Sequence, residues 1–277
     1  MGRPPRIDRT GFHHVVNRGA ARQPIYFDVR DRSEFLRLLG LAHERFGVRV
    51  HAFALMTNHY HLLVECPEGG LADAMHLIGS VFVRHVNERH GRDGPLFKGR
   101  YFAKSVTTDE YLVRLVNYVH RNPLAIVPAD KLLEYRWSSL RVYSQDRRRP
   151  DWMRTDFVTG VFGSTEAVVD HAIGDLERPP ALMNVDDLWA SIDVMVDEFV
   201  DERVQRGASR TVAVALLDRL DDDSARRLLA SLDFPSANAE RVTRCRVRQR
   251  MSADPTLVAA VTGVLHLLGF QFVPGTN

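Results

Sequence analysis

Two histidines stand two residues apart in the run His59-Tyr60-His61, at the start of a segment whose pattern predicts a β-strand. Side chains alternate along a strand, so His59 and His61 point to one face of the sheet and Tyr60 to the other. Two imidazoles on one face can ligate a single divalent ion. Two polar residues on a solvated strand face would give the same pattern, so the pair alone does not define a metal site.

A tyrosine and an asparagine, Tyr118 and Asn122, stand four residues apart in a predicted helix over 108–122 and therefore share a helix face. They lie at the edge of its apolar stripe, where a side chain can reach from a packed helix into a site. A phenol beside a metal-polarised phosphate is a competent nucleophile once its proton is removed. An amide oxygen four residues later is a suitable ligand for Mg²⁺.

Tyr111 is the rival nucleophile, because seven residues before Tyr118 places it on nearly the same helix face. The residue four positions beyond Tyr111 is Leu115, which cannot ligate a metal. On the helix alone, the better explanation of Tyr118 is a half-buried tyrosine whose hydroxyl meets water.

Strand and helix periodicities predict how these residues are held. The predicted elements are strand 12–17, helix 31–46, strand 48–56, strand 59–65, helix 71–89, strand 96–106 and helix 108–122. The first six follow the order of a ferredoxin-like split βαβ unit, an α+β fold, with the tyrosine helix added. We expect helices on one sheet face and an open second face that carries the two histidines.

The remainder of the chain predicts a second, all-α domain. A Trp-rich segment over 137–152 and a short helical stretch to about Asp175 precede Arg178-Pro179-Pro180, a predicted linker. The predicted domains are 1–178 and 184–277. The helices expected in the second domain cover 188–204, 212–219, 225–232, 236–250 and 256–268.

Composition narrows the class of protein. The 277 residues are 45% hydrophobic and 26% charged with a net charge of +2, as in ordinary globular proteins. Cys66 and Cys245 are far apart and fit no CxxC pattern, which disfavours a disulfide scaffold and a zinc ribbon. The N-terminus lacks the apolar stretch of a signal peptide, and no window approaches the ~20 apolar residues of a membrane span. We therefore expect a cytoplasmic protein without membrane contact.

Four short strings in the right order resemble one family. LMTNHYHLL at 55–63 resembles the metal motif of the Y1 HUH transposases, and PLFKGRY at 95–101 is similar to the strand that follows it there. NYVHRNP at 117–123 is similar to that family's tyrosine helix. Trp137-Ser138-Ser139 and Tyr143 resemble a segment just downstream. Together they are similar to the REP-associated branch of the IS200-type tyrosine transposases, over roughly residues 11–175.

The resemblance implies a role for each matching residue. His59, His61 and Asn122 would hold Mg²⁺ or Mn²⁺, and Tyr118 would attack the DNA to form a 5′-phosphotyrosine. Single-stranded DNA hairpins, such as those of repeated extragenic (REP) elements, would be the substrate of a monomer or homodimer. Separately from the resemblance, Lys98 and Arg100 are candidate phosphate contacts, and inert exposed charges on a strand are the alternative.

The chain departs from the family pattern at two places. Thr57 stands where a proline is usual, and residues 124–127 lack the expected basic residue and glycine. Neither position touches the chemistry, although the second could alter contacts to DNA.

The predicted C-terminal domain has the outline of a helix-turn-helix and faintly resembles the DNA-binding domain of the replication initiator DnaA. Arg241, Arg244 and Arg248 share one helical face suited to the phosphates of duplex DNA. A solvated charged face on an ordinary helical bundle is the alternative.

The sequence therefore predicts a metal-dependent tyrosine transposase that cuts and rejoins single-stranded DNA. The main alternative is a domesticated DNA-binding regulator that keeps the fold without cutting. RNA binding is a third hypothesis, disfavoured because the sheet lacks the adjacent aromatic pair that stacks bases in the RNA-recognition fold.

Overall fold

A computed structural model describes residues 10–145, 149–174, 189, 192, 195–196, 200, 207–217, 219–220 and 222–267. The chain divides into two compact units, 1–174 and 175–277, and each is described by itself. The predicted linker, the domain ends at 178 and 184, and most of the predicted helix 188–204 lie outside the described residues.

The first unit is built on a four-stranded antiparallel sheet of order β2-β3-β1-β4. The strands are β1 (Gly11–Arg18), β2 (Arg49–Leu55), β3 (His59–Cys66) and β4 (Phe102–Val106). Between them run helices α1 (Val29–Phe46) and α2 (Leu71–His90). This order and pairing confirm the predicted ferredoxin-like α+β fold.

Helices α1 and α2 pack on each other, and α1 packs on one face of the sheet through β2. The ring of Phe35 lies 4.8 Å from Tyr60 of β3 and 5.2 Å from Phe82 of α2, which joins the helices to the strand that carries the histidines. Asp28 begins α1 because its side chain accepts hydrogen bonds from the backbone of the first turn, and Gly47 ends it in the left-handed conformation. Tyr60 thus anchors β3 from the opposite side to its two imidazoles.

The sequence predicts an open second sheet face, and this prediction is wrong, because a helix covers that face. Helix α3 (Asp109–Arg121) lies against it and packs on β2 and β3. Its N-cap is Thr108, whose hydroxyl oxygen accepts from the backbone N–H of Tyr111. The broad apolar stripe of α3 must be buried somewhere, and the sheet supplies the partner.

The fourth strand is shorter than predicted. Only Phe102–Val106 pairs with β1, while residues 95–101 form an irregular segment with a single bridge between Phe97 and Gly19. Gly99 lies within this segment, where its lack of a side chain weakens strand pairing.

Three short helices complete the described part of the first unit: α4 (Leu140–Ser144), α5 (Asp156–Phe162) and α6 (Thr165–Ile173). In the second unit the described helices are α7 (Ala208–Leu216), α8 (Asp222–Leu232), α9 (Ala237–Ala253) and α10 (Pro255–Leu267). Helix α7 packs on the other three. The helical character predicted for this region is confirmed.

Among the described residues, no helix combines the length and the apolar character needed to cross a membrane.

Candidate active site

The register of β1 and β3 brings the two histidines to the face that α3 covers. His59 lies directly opposite Arg18, and His61 lies opposite Val16, with His14 two residues further along β1 on the same face. Directly opposed residues of an antiparallel pair share a sheet face. The predicted orientation of both imidazoles toward one face is therefore found.

The tautomer of His59 follows from its neighbour Asn58. The Asn58 amide donates from Nδ2 to the carbonyl of Arg22 at 3.1 Å, which turns its Oδ1 toward His59. This oxygen lies 2.8 Å from His59 Nδ1 and can only accept, so Nδ1 carries the proton. A neutral His59 therefore presents the lone pair of Nε2 on its other side.

That lone pair faces the amide oxygen of Asn122, because His59 Nε2 and Asn122 Oδ1 are 3.1 Å apart. With the Asn122 amide in this orientation both atoms are acceptors when His59 is neutral, and two facing acceptors are satisfied by a cation or by a proton. Asn122 follows the last residue of α3, where its backbone N–H donates to the carbonyl of Tyr118.

The second imidazole lies deeper and meets the tyrosine. His61 is fully buried, and its Nε2 is 3.5 Å from the Tyr118 hydroxyl, longer than a strong hydrogen bond. The two rings stand nearly perpendicular with centroids 4.9 Å apart. Burial lowers the pKa of His61 to about 3, so its ring is neutral at physiological pH and available as a metal ligand.

Tyr118 and its rival Tyr111 are both buried, at 5% and 1% exposure. What distinguishes them is the surroundings of Tyr118, whose ring centroid lies 6.4 Å from that of His14 and 4.9 Å from that of His61. A phenol among imidazoles is better placed for chemistry than one packed in the core.

A polar network fixes the helix that carries Tyr118. His120 Nε2 lies 2.9 Å from the hydroxyl of Ser139, and that hydroxyl also accepts from the backbone N–H of Phe53 in β2 at 2.8 Å. Trp137 and Ser139 continue the pairing at the edge of β2, through Leu55 N–H to Trp137 O and Ser139 N–H to Phe53 O. The Trp-Ser-Ser motif thus connects the tyrosine helix to the sheet.

The donor set suits a hard or borderline divalent cation. His59 Nε2, His61 Nε2 and Asn122 Oδ1 combine two imidazoles with an amide oxygen, ligands that Mg²⁺ and Mn²⁺ accept. The facing acceptors on His59 and Asn122 are the observation that favours such an ion. Within the ranges that the structure describes, no three histidine, cysteine or carboxylate side chains gather as a metal cluster.

The two basic residues predicted to contact phosphate lie at the same end of the sheet as His59. The backbone N–H of Lys98 donates to the carbonyl of Arg18, which holds the irregular segment beside β1. Exposed Arg100 lines a cavity of about 550 Å³ together with Asn17 and Tyr60. Their contact with DNA stays a prediction.

Sequence reasoning missed four polar residues near the site: His14, Arg18, Asn58 and Lys104. Lys104 of β4 is directly opposite His14, and Arg18 is directly opposite His59, so two basic side chains share the face of the imidazoles. The alternation of β1 could have indicated His14 and Arg18, but only the strand register shows which histidine each one adjoins.

The three arginines predicted to contact duplex DNA lie on α9, of which only Val247 is buried. Arg241 and Arg248 are exposed, while Arg244 forms an ion pair with Glu240 at 3.1 Å. The predicted basic helix is present, and its partner stays a prediction.

The fold and site define an α+β domain in which a tyrosine helix lies across two histidines of a β-strand. Residues 11–122 match the family described as "Transposase IS200 like". The resemblance stated from the motifs is confirmed for this part of the chain, which contains all four candidate residues His59, His61, Tyr118 and Asn122. The match ends before α4 and includes nothing of the second unit.

Among solved structures, the chain is similar to one described as a REP-associated tyrosine transposase bound to a REP hairpin. The identity is 14%, the TM-score is 0.43, and the alignment covers 54% of this chain and 89% of the other. No curated protein matches the chain. The similarity to DnaA stays without support from these comparisons.

Proposed function

We propose that the chain is a DNA transposase that cuts and rejoins single-stranded DNA with Tyr118 as nucleophile. The family match over 11–122 supports the general role. The contact of Tyr118 with His61, beside the His59–Asn122 pair, is the observation that supports the chemistry.

The reaction balances without an external energy source. The Tyr118 oxygen attacks the scissile phosphorus and loses its proton, while the bond from phosphorus to the 3′ oxygen breaks and that oxygen gains a proton. The products are a 5′-phosphotyrosine and a free 3′-hydroxyl. Attack of a 3′-hydroxyl on the phosphotyrosine reverses the step, which allows rejoining.

The chain's own residues orient and neutralise the substrate. His59, His61 and Asn122 would hold Mg²⁺ or Mn²⁺, which when bound polarises the scissile phosphate. Arg18 and Lys104 lie on the same sheet face and suit further phosphate oxygens, with Lys98 and Arg100 near its end. The substrate class is a single-stranded hairpin, as the resemblance to REP-associated transposases implies.

A second role is proposed for the second unit. The exposed arginines of α9 suit duplex phosphates, which would add a sequence-independent affinity for DNA.

The test is incubation of the full chain with end-labelled hairpins and Mg²⁺. We expect a covalent protein–DNA adduct that survives denaturation, carries the 5′ phosphate and does not form in the presence of EDTA. If no hairpin from its own genome gives an adduct while binding is retained, the non-cleaving regulator is the better interpretation.

A further inference from the structure

A third histidine, His14, lies fully buried beside the candidate metal ligands. Its Nε2 is 3.1 Å from His61 Nδ1, and the two rings are nearly parallel with centroids 5.3 Å apart. The strand register explains the contact, because His14 and His61 are diagonal neighbours on one face of β1 and β3.

The contact is equivalent to the one that Asn58 makes with His59. In both cases the partner meets Nδ1, and Nε2 is the nitrogen directed into the site. A histidine that binds a metal through Nε2 must carry its proton on Nδ1, and the partner of that proton orients the ring.

The other nitrogen of His14 argues against a purely structural role. Within the described part of the chain, His14 Nδ1 is buried without a hydrogen-bond partner. Such an atom costs stability, and an apolar side chain at this position would avoid the cost. The contact with His61 is the one feature of His14 that an apolar residue could not reproduce.

We infer that His14 is a positioning residue that accepts the Nδ1 proton of His61 and so directs the lone pair of His61 Nε2 into the site. This inference rests on the proposed function in assigning His61 as a metal ligand. The Tyr118 hydroxyl lies on the other side of the ring, 3.5 Å from Nε2, where it can donate to a bare Nε2 or accept from a protonated one, so it leaves the choice of tautomer to His14.

Three variants test the role. His14→Leu removes the acceptor, His14→Gln keeps an oxygen acceptor on a side chain of similar reach, and His13→Leu replaces a buried histidine on the opposite sheet face. We expect His14→Leu to bind Mn²⁺ about 10- to 100-fold more weakly, as for other partners of metal ligands. His14→Gln should recover most of that loss, and His13→Leu should bind as the wild type does.

Nitrogen NMR of the metal-free protein supplies a readout that does not depend on the ion. We expect His61 to carry its proton on Nδ1 in the wild type and in His14→Gln, and on Nε2 in His14→Leu. The melting temperature of His14→Leu should shift by less than about 5 °C, since one buried unpaired nitrogen replaces another. Excess Mn²⁺ should restore adduct formation by this variant.

The inference is wrong if the tautomer of His61 is the same with and without His14, or if His14→Leu binds Mn²⁺ as tightly as the wild type. Failure of the proposed metal site is a distinct outcome, in which the wild type itself binds no Mn²⁺. The nitrogen shifts still decide the role of His14 in that case.

Discussion

The candidate site in the first unit and the basic helix in the second differ in how their polar groups are held. His14, His61 and Tyr118 are buried and contact one another, so each has one geometry and one set of partners. Arg241 and Arg248 are exposed on a helix with a single buried residue. Burying a polar group costs free energy unless it has defined partners, so replacing one such residue should have a specific effect. Exposed arginines act through their summed charge, so each one contributes a similar small amount.

Removal of the Tyr118 hydroxyl should have the largest effect on activity of all the changes considered. Tyr118→Phe keeps the ring and its packing, so the fold and hairpin binding should persist while covalent adduct formation is lost. A gel assay with labelled hairpin DNA measures the adduct.

Tyr111→Phe is the matched control, because it removes a hydroxyl from a buried tyrosine on the same helix and should retain cleavage. If Tyr118→Phe still forms the adduct and Tyr111→Phe does not, the nucleophile has been wrongly assigned.

Loss of the amide opposite His59 should weaken the metal site without abolishing it. Asn122→Ala removes one of three proposed ligands, so we expect Mn²⁺ affinity to fall by roughly 10- to 100-fold, the range seen when groups that support a metal site are lost. Titration calorimetry measures this directly. Asn117→Ala, five residues before Asn122 and therefore on a different face of the helix, should leave the affinity unchanged. Equal affinities for both variants would exclude Asn122 as a ligand.

Acid should destabilise the fold of the first unit, because its buried histidines stay neutral only in the folded state. Burial lowers the pKa of His120 to about 3, so its ring stays neutral in the folded protein while the unfolded chain takes up a proton below about 6.5. The unfolded state then binds more protons, and folding stability falls as the pH drops from 6.5 toward 3. For His120 alone the loss between pH 7 and pH 5 is about 2 kcal/mol.

Urea unfolding of the metal-free protein at the two pH values measures this loss. His120→Gln should reduce the pH-dependent drop by about 2 kcal/mol. His76→Gln, an exposed histidine of α2, serves as the control and should leave the drop as it is. An unchanged drop in His120→Gln would mean that His120 does not remain neutral in the fold.

The same contrast explains how much could be predicted from the sequence. Period-two alternation correctly predicted that His59 and His61 share a face. Four-residue spacing correctly paired Tyr118 with Asn122, which caps the helix rather than lying within it. These are local regularities of strand and helix. The covered sheet face and the role of His14 depend on how distant segments pack, which no local pattern records. Asn58 was within a recognised motif, yet its effect on His59 depends on the carbonyl of Arg22.

The smallest effect is expected when exposed arginines of α9 are replaced, and it concerns affinity for duplex DNA. The double variant Arg241→Gln/Arg248→Gln removes two charges from exposed side chains, so the fold should change little. If both arginines contact duplex phosphates, the slope of log affinity against log salt should become shallower by about 2, and affinity should fall less than about tenfold.

The matched control replaces Arg30 and Arg45, exposed arginines of α1, with glutamine in the full chain. This pair removes the same net charge from the first unit and should change the salt slope little. Fluorescence anisotropy with a duplex over a range of salt concentrations measures both variants. Equal slopes for the two would mean that net charge, rather than α9, determines duplex binding. No duplex affinity at low salt in the wild type would leave α9 as a solvated face, and the contrast between the two units would then be one between a site and a surface.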